Sequence, residues 1–218
     1  TRVRSSAASD VYKRQAIGTY ALFTQNNTSN ADVYNVAIGY QAGTLVSTGA
    51  NNVLVGGQVG EALTDGANNV VIGRAALGSA QSDSNNVAVG YTALGTQNGA
   101  GTSYNTAVGH AAGTGVTTGA QNTIVGGLAA DAITTGADNV VMGYQAMTVA
   151  NSTESRNVAI GAFALDSLDN GSTTNTYNTA VGYGSAAAVD TGIQNTILGA
   201  GAGDAITSGS DNIVIGFG

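Results

Sequence analysis

His110 is the only histidine in this sequence of 218 residues, and the chain contains no cysteine. A Ser-His-Asp site needs a histidine held between a nucleophile and an acid, and no pattern around His110 indicates such a group. The corresponding positions of other repeats hold Tyr40 and Tyr183, which favours a surface aromatic role for His110. We therefore predict no catalytic residue and no enzymatic activity.

Three acidic residues, Glu61, Asp131 and Asp204, recur at corresponding places in the sequence. Carboxylates that met across chains would offer the oxygen ligands that Ca²⁺ prefers. One carboxylate per repeat unit is few for that ion, and solvated turns explain these residues better. The glycine-rich segments at Gly126 and Gly201 lack the Lys-Ser/Thr pair of a phosphate-binding loop and the nonapeptide spacing of a Ca²⁺-binding repeat. We predict no metal ion and no cofactor.

A five-residue rung recurs along the chain and organises it. Its first full copy is Asn35-Val36-Ala37-Ile38-Gly39, and residues 15–18 form a weaker copy before it. The closing glycines follow one another at steps of 17 to 21 residues, and 17 is the commonest step. A period in this range is typical of stacked-repeat proteins. Asparagine opens every full copy, and we predict a ladder of side-chain amides formed by Asn35, Asn52, Asn69, Asn86, Asn105, Asn122, Asn139, Asn157, Asn178, Asn195 and Asn212.

Positions 2 to 4 of the rung predict a short strand, and the glycine at position 5 predicts a sharp corner. Positions 2 and 4 face one side of a strand and position 3 faces the other, yet both sets are apolar throughout. We therefore expect one face to fill the coil and the other to pack against another chain. A monomer with a small, dry second face is the alternative. We expect Val71→Asp with Val141→Asp to disrupt the assembly, which places position 3 at the interface.

A small residue follows three places after nearly every rung glycine, as at Ala76 and Ala93, and indicates a narrow interior. The sequence thus predicts an all-β fold, a parallel β-solenoid of about twelve coils that occupies residues 15–218. At about 4.8 Å per level, twelve coils make a rod segment of roughly 58 Å.

Residues 1–14 are basic and break the repeat, and they resemble translated adaptor sequence, so we interpret them as a sequencing artefact; a disordered basic arm is the alternative. Because four of the six basic residues lie before Gln15, the repeat region is acidic, and we predict no nucleic-acid binding. No apolar run is long enough to span a membrane, and no signal peptide is visible. The repeat stops part-way at Gly218, and we expect a segment of a longer fibre.

A second period groups four coils into a unit of about 70–73 residues, present three times. The chain lengthens once in each unit, in three insertion segments, residues 23–34, 95–104 and 166–177. Each segment is rich in Asn, Ser, Thr and Gly and ends in tyrosine. Insertions in solenoids form surface loops that often bind partners. We therefore identify Tyr34, Tyr104 and Tyr177 as a candidate ligand surface.

The rung Asn157-Val158-Ala159-Ile160-Gly161 resembles the head repeats of trimeric autotransporter adhesins of the YadA type. The stretch Asn105-Thr106-Ala107-Val108-Gly109-His110, with Gly143-Tyr144-Gln145-Ala146-Met147, is similar to a repeat of phage tail fibres. The resemblance covers residues 15–218 and implies a left-handed β-roll, three chains per fibre, and an extracellular place on a virion or bacterial surface. Coils of 17 residues or more are longer than those of the adhesin heads.

From this resemblance and the insertion segments we expect a structural or adhesive fibre segment that extends or presents a receptor-binding surface, with a cell-surface glycan as a candidate ligand. The alternatives are a plain spacer filament without a ligand and an ice-binding solenoid, which would need regular ranks of threonine. An enzyme on a hexapeptide-type helix ranks last because the aliphatic residues keep no six-residue step.

Overall fold

The computed structural model describes residues 14–25, 33–99, 101–148, 153–171 and 175–218. Apart from Arg14, the N-terminal segment 1–14 lies outside the described residues, as do residues 26–32 of the first insertion segment. The described residues contain twelve three-residue strands and no helix. The strands are β1 (Gln15–Ile17), β2 (Val36–Ile38), β3 (Val53–Val55), β4 (Val70–Ile72), β5 (Val87–Val89), β6 (Thr106–Val108), β7 (Thr123–Val125), β8 (Val140–Met142), β9 (Val158–Ile160), β10 (Thr179–Val181), β11 (Thr196–Leu198) and β12 (Ile213–Ile215).

All twelve strands form one parallel sheet, and their order across the sheet is their order in the chain. The register follows the rung, because each position pairs with the same position one coil later. Ala37 pairs with Leu54, and Leu54 pairs with Val71. Every rung position therefore forms a column along the stack. This arrangement confirms the predicted all-β parallel β-solenoid.

Position 3 of the rung fills the interior of the solenoid. The fully or almost fully buried members are Ala37, Leu54, Val71, Ala88, Ala107, Ile124, Val141, Ala159, Ala180 and Ile197. The expectation that Val71 and Val141 lie at an interface between chains is therefore wrong, since both side chains are 0% exposed within their own coils. A charge at either position would disrupt the coil itself. The outward face of the sheet belongs to positions 2 and 4.

The opposite wall of the interior carries the small residues predicted three places after the rung glycine. Ala42, Ala76 and Ala93 are 0% exposed, as a narrow interior requires. Side-chain sizes compensate between neighbouring levels. A Cβ atom at Gly43 would lie 2.6 Å from Leu54 Cδ1, so the glycine of one coil makes room for the leucine of the next.

The rung glycines combine positive φ with close contact between levels. Gly109 has φ +144°, and a Cβ atom there would lie 2.3 Å from the carbonyl oxygen of Gly126 in the next coil. Three further residues per coil adopt the left-handed conformation, as at Thr92, Leu94 and Tyr104 with φ of 50–53°. These left-handed residues turn the chain through the rest of the coil, between one strand and the next.

Candidate functional site

The outward face of the sheet is a continuous apolar strip that runs the length of the described solenoid. This outward strip consists of positions 2 and 4 of the twelve strands: Gln15, Ile17, Val36, Ile38, Val53, Val55, Val70, Ile72, Val87, Val89, Thr106, Val108, Thr123, Val125, Val140, Met142, Val158, Ile160, Thr179, Val181, Thr196, Leu198, Ile213 and Ile215. Val70 and Ile72 are 39% and 40% exposed, and Leu198 is 46% exposed. The strip contains no charged residue, and a continuous apolar surface of this kind marks an interaction site.

The predicted ladder asparagines lie beside the sheet, buried except for the half-buried Asn212, and link each level from β2 to β12 to the next. Asn105 Oδ1 accepts hydrogen bonds from the backbone N–H and the side-chain amide of Asn122, at 2.9 and 3.2 Å. Asn105 Nδ2 donates to the carbonyl of Gly119 in its own coil at 2.8 Å. The side-chain oxygen accepts the next asparagine's N–H at all ten steps from Asn35 to Asn212. The ladder asparagines thus form hydrogen bonds both between levels and within a coil.

A buried carboxylate that sequence reasoning missed anchors the second insertion segment. Asp83 is 0% exposed, and its Oδ1 accepts hydrogen bonds from Gln97 Nε2, Gly99 N and Ser103 Oγ at 3.2, 2.9 and 3.0 Å. Gln97 also contacts the ladder, because its Nε2 lies 3.4 Å from Asn86 Oδ1. The carboxylate therefore holds the insertion segment against the body of the solenoid.

Glu154 has the same role in the next repeat unit. It is 0% exposed, and its Oε1 accepts the backbone N–H of Asn170 in the third insertion segment at 2.7 Å. One sequence signal marks both acids. The third residue before the ladder asparagine is glycine in most coils, as at Gly66 and Gly119, but it is acidic at these two places and at Asp32, which lies outside the described residues.

The candidate ligand tyrosines lie in one column along the solenoid, formed by the residue before each ladder asparagine. Tyr34, Tyr104 and Tyr177 are 48%, 61% and 49% exposed. They stand four levels apart and make no common pocket. Arg156 covers Tyr177 with its guanidinium carbon 5.7 Å from the ring centroid, donates to its hydroxyl at 2.9 Å, and lies 3.4 Å from Asp138 Oδ2. These contacts with Tyr177 and Asp138 raise the pKa of Arg156.

A second exposed column is formed by the residue after each rung glycine, on the other side of the strands, and it is rich in aromatic rings. Tyr91 and His110 stack with centroids 5.4 Å apart and an interplanar angle of 19°. Four levels further along, Phe163, which is the second residue after its rung glycine, contacts Tyr144 and Tyr183 of this column edge to face, at 5.8 Å each. The stacking of His110 agrees with the surface aromatic role predicted for it.

No protein-family model, curated protein or solved structure matches this chain. Evidence on its function therefore comes from the solenoid itself.

The acidic residues considered for Ca²⁺ do not lie close to one another within one chain. Glu61, Asp131 and Asp204 belong to coils four levels apart. Within the described ranges, no three His, Cys, Asp or Glu side chains are close enough to hold a metal ion. Partial burial raises the pKa of Asp131 and of Asp166. The same part of the chain contains no helix with the length and apolarity that a membrane crossing requires.

Proposed function

We propose that this chain is a segment of a surface fibre in which three identical chains pack through their outward strips. The uncharged outward strip is the observation that carries the proposal. Positions 2 and 4 hold mostly β-branched side chains, in the same register from level to level. A second copy that packs alongside therefore contacts a similar surface along its whole length. Burial of half-exposed Val and Ile side chains contributes about 25 cal/mol per Å². The number three comes from the resemblance of the rung to trimeric adhesin and tail-fibre repeats.

The proposed fibre stands outside the cell, on a bacterial surface or a virion, and presents its insertion segments to a receptor. Exposed tyrosines at regular intervals suit contacts with sugar rings, because a phenol offers an apolar face and a polar tip. Tyr104 is in this role the main residue that contacts a cell-surface glycan, and Tyr177, 49% exposed, contributes the part of its ring that Arg156 does not cover. A plain spacer filament would share the assembly but not the ligand.

Charged side chains introduced into the outward strip test the assembly. Ile72→Lys with Val108→Lys places two ammonium groups on the outward strip, which should reduce the mass in solution to that of one chain while the β-sheet circular dichroism is retained. The matched control is Gln121→Lys with Gln194→Lys, which adds the same charge to the exposed column that precedes the ladder asparagines. An unchanged mass for the outward-strip variant would contradict the proposal.

A glycan array separates the adhesive fibre from the spacer. The wild-type protein should bind a subset of surface glycans, and Tyr104→Ala with Tyr177→Ala should abolish that binding without changing the mass of the assembly. Absence of glycan binding by the wild type would favour the spacer.

One feature of the outward strip favours ice binding as a second candidate. Thr106, Thr123, Thr179 and Thr196 all face outward from position 2, in line with valine. Position 4 contains no threonine, so the ranks that such a face needs are incomplete. A thermal-hysteresis measurement at low micromolar protein distinguishes the two, because a fibre segment should show no hysteresis.

A further inference from the structure

We infer that Arg74, Tyr91 and His110 form a binding site for a carboxylate-bearing sugar. The inference goes beyond the proposed fibre and does not require the chains to associate. The three side chains lie on three successive levels of the column that follows the rung glycines. All three are exposed, and Tyr91 is 45% exposed.

The three groups form one stack along the solenoid axis. The guanidinium carbon of Arg74 lies 5.8 Å from the ring centroid of Tyr91, and the imidazole of His110 stacks on the same ring at 5.4 Å. Tyr91 thus separates two nitrogen-bearing groups that stand two levels, or roughly 10 Å, apart. The N–H groups of Arg74 and His110 and the hydroxyl of Tyr91 are all accessible to one extended ligand.

Among the described residues, no neighbour neutralises the charge of Arg74. Its side chain donates to Gln58 Oε1 at 3.4 Å, and no carboxylate of these residues lies close enough for an ion pair. Arg156 is the other arginine of residues 15–218, and it is already bound to Asp138 and Tyr177. Arg74 is therefore the guanidinium that remains able to bind an external anion.

The surroundings limit what that anion is. Residues 15–218 contain two arginines against twelve acidic residues, a formal charge of −10, so a polyanion such as a nucleic acid would be repelled. A single carboxylate matches the planar fork of one guanidinium. Aromatic C–H edges and the amide of Gln58 suit the ring and hydroxyls of a sugar. These features together favour a uronic-acid type of ligand over a phosphate or a neutral sugar.

The next repeat unit provides an internal comparison for this site. In the next unit, Tyr144 and Tyr183 occupy the places of Arg74 and His110, Ala162 occupies the place of Tyr91, and the neighbouring Phe163 contacts both tyrosines. The same fold therefore already accepts tyrosine at the places of Arg74 and His110. The reverse exchange transfers the guanidinium, the phenol and the imidazole to the next unit.

The test uses isothermal titration calorimetry with an oligosaccharide that carries one galacturonic acid residue and with the methyl ester of that oligosaccharide as the uncharged counterpart. The wild type should bind the acid with one site per chain and bind the ester at least tenfold more weakly. Arg74→Tyr with His110→Tyr should lower the affinity for the acid at least tenfold, and Arg156→Gln should leave it unchanged. Tyr144→Arg with Ala162→Tyr and Tyr183→His should raise the number of sites to two.

Equal binding of acid and ester, wild-type affinity in the Arg74→Tyr/His110→Tyr variant, or no binding of the acid at millimolar concentration would each overturn the inference. Light scattering on the same samples keeps this result separate from the fibre proposal. A monomeric protein that binds the acid supports the sugar site and contradicts the fibre. An assembled protein that does not bind the acid supports the fibre and contradicts the sugar site.

Discussion

At the scale of single residues, asparagine and glycine make the stack regular because each does two things at once. The ladder asparagine joins levels through its oxygen and closes its own coil through its nitrogen. The rung glycine adopts a left-handed φ and allows the next level to approach within contact distance. Asparagine carries an acceptor oxygen and a donor nitrogen as separate atoms on a short side chain, and no residue other than glycine lacks a Cβ atom.

The requirement for a positive φ and the requirement for close approach of the next level can be separated in one coil. Gly182 has φ +141° and a Cβ atom there would meet the Gly199 carbonyl at 2.5 Å, whereas Gly184 has φ +58° and open space around it. Gly182→Ala should lower the free energy of unfolding by about 3 kcal/mol or more. Gly184→Ala should cost about 1 kcal/mol, because Ala75 and Ala111 already occupy the same place. Equal costs in urea denaturation would show that contact between levels is unimportant.

The ladder makes a quantitative prediction at its centre. Asn122→Ala leaves the buried carbonyl of Gly136 and the N–H of Asn139 without the partners that Asn122 supplies at 2.9 and 3.0 Å. The free energy of unfolding should fall by about 2–5 kcal/mol, as measured by denaturant titration. Asn51→Gly removes only an exposed amide contact to Asn68 at 3.2 Å and should change the free energy by about 0.5 kcal/mol or less. A small effect at Asn122 would mean that the ladder is dispensable.

The asparagine and glycine positions were predictable because every level needs them and the sequence repeats them. Asp83 and Glu154 were not predicted, since a buried carboxylate becomes favourable only when an insertion segment folds back to donate hydrogen bonds to it. The usable signal was the replacement of a recurrent glycine by an acid just before the longer coils.

At the scale of elements, each coil is a short strand closed by left-handed turns, and the insertion segments are attached to it by buried hydrogen bonds. The strand and the corner follow from the rung. The attachment of the insertion segments does not, because their polar composition gives no register. The second segment returns to the body of the solenoid at the buried Ser103, which donates to Asp83 Oδ1 at 3.0 Å. The third returns at the buried Thr176, which donates to the ladder oxygen Asn157 Oδ1 at 2.7 Å.

Removal of one anchor should loosen one segment only. Asp83→Ala deletes the acceptor for Gly99 N, so the amide of Gly99 should exchange with deuterium faster. The amide of Asn170 is bound to Glu154 Oε1 at 2.7 Å and should keep its protection. Hydrogen-exchange NMR measures both amides in the same sample. Unchanged exchange at Gly99 would show that Asp83 does not hold the segment.

At the scale of the whole molecule, the solenoid separates a filled interior from an apolar exterior strip. Alternation within a three-residue strand could not tell the two faces apart, because both are apolar, and the expectation for Val71 and Val141 was wrong for this reason. The better clue was size. Alanine is common at position 3 and absent from position 4, as expected if position 3 fills the narrow interior.

The mass in solution of the purified protein tests the central claim most directly. Sedimentation equilibrium at micromolar concentration should give about three times the 21.3 kDa mass of one chain, because the proposed fibre buries the outward strip between identical copies. A concentration-independent mass of 21.3 kDa would contradict the account and leave the strip exposed on a single rod.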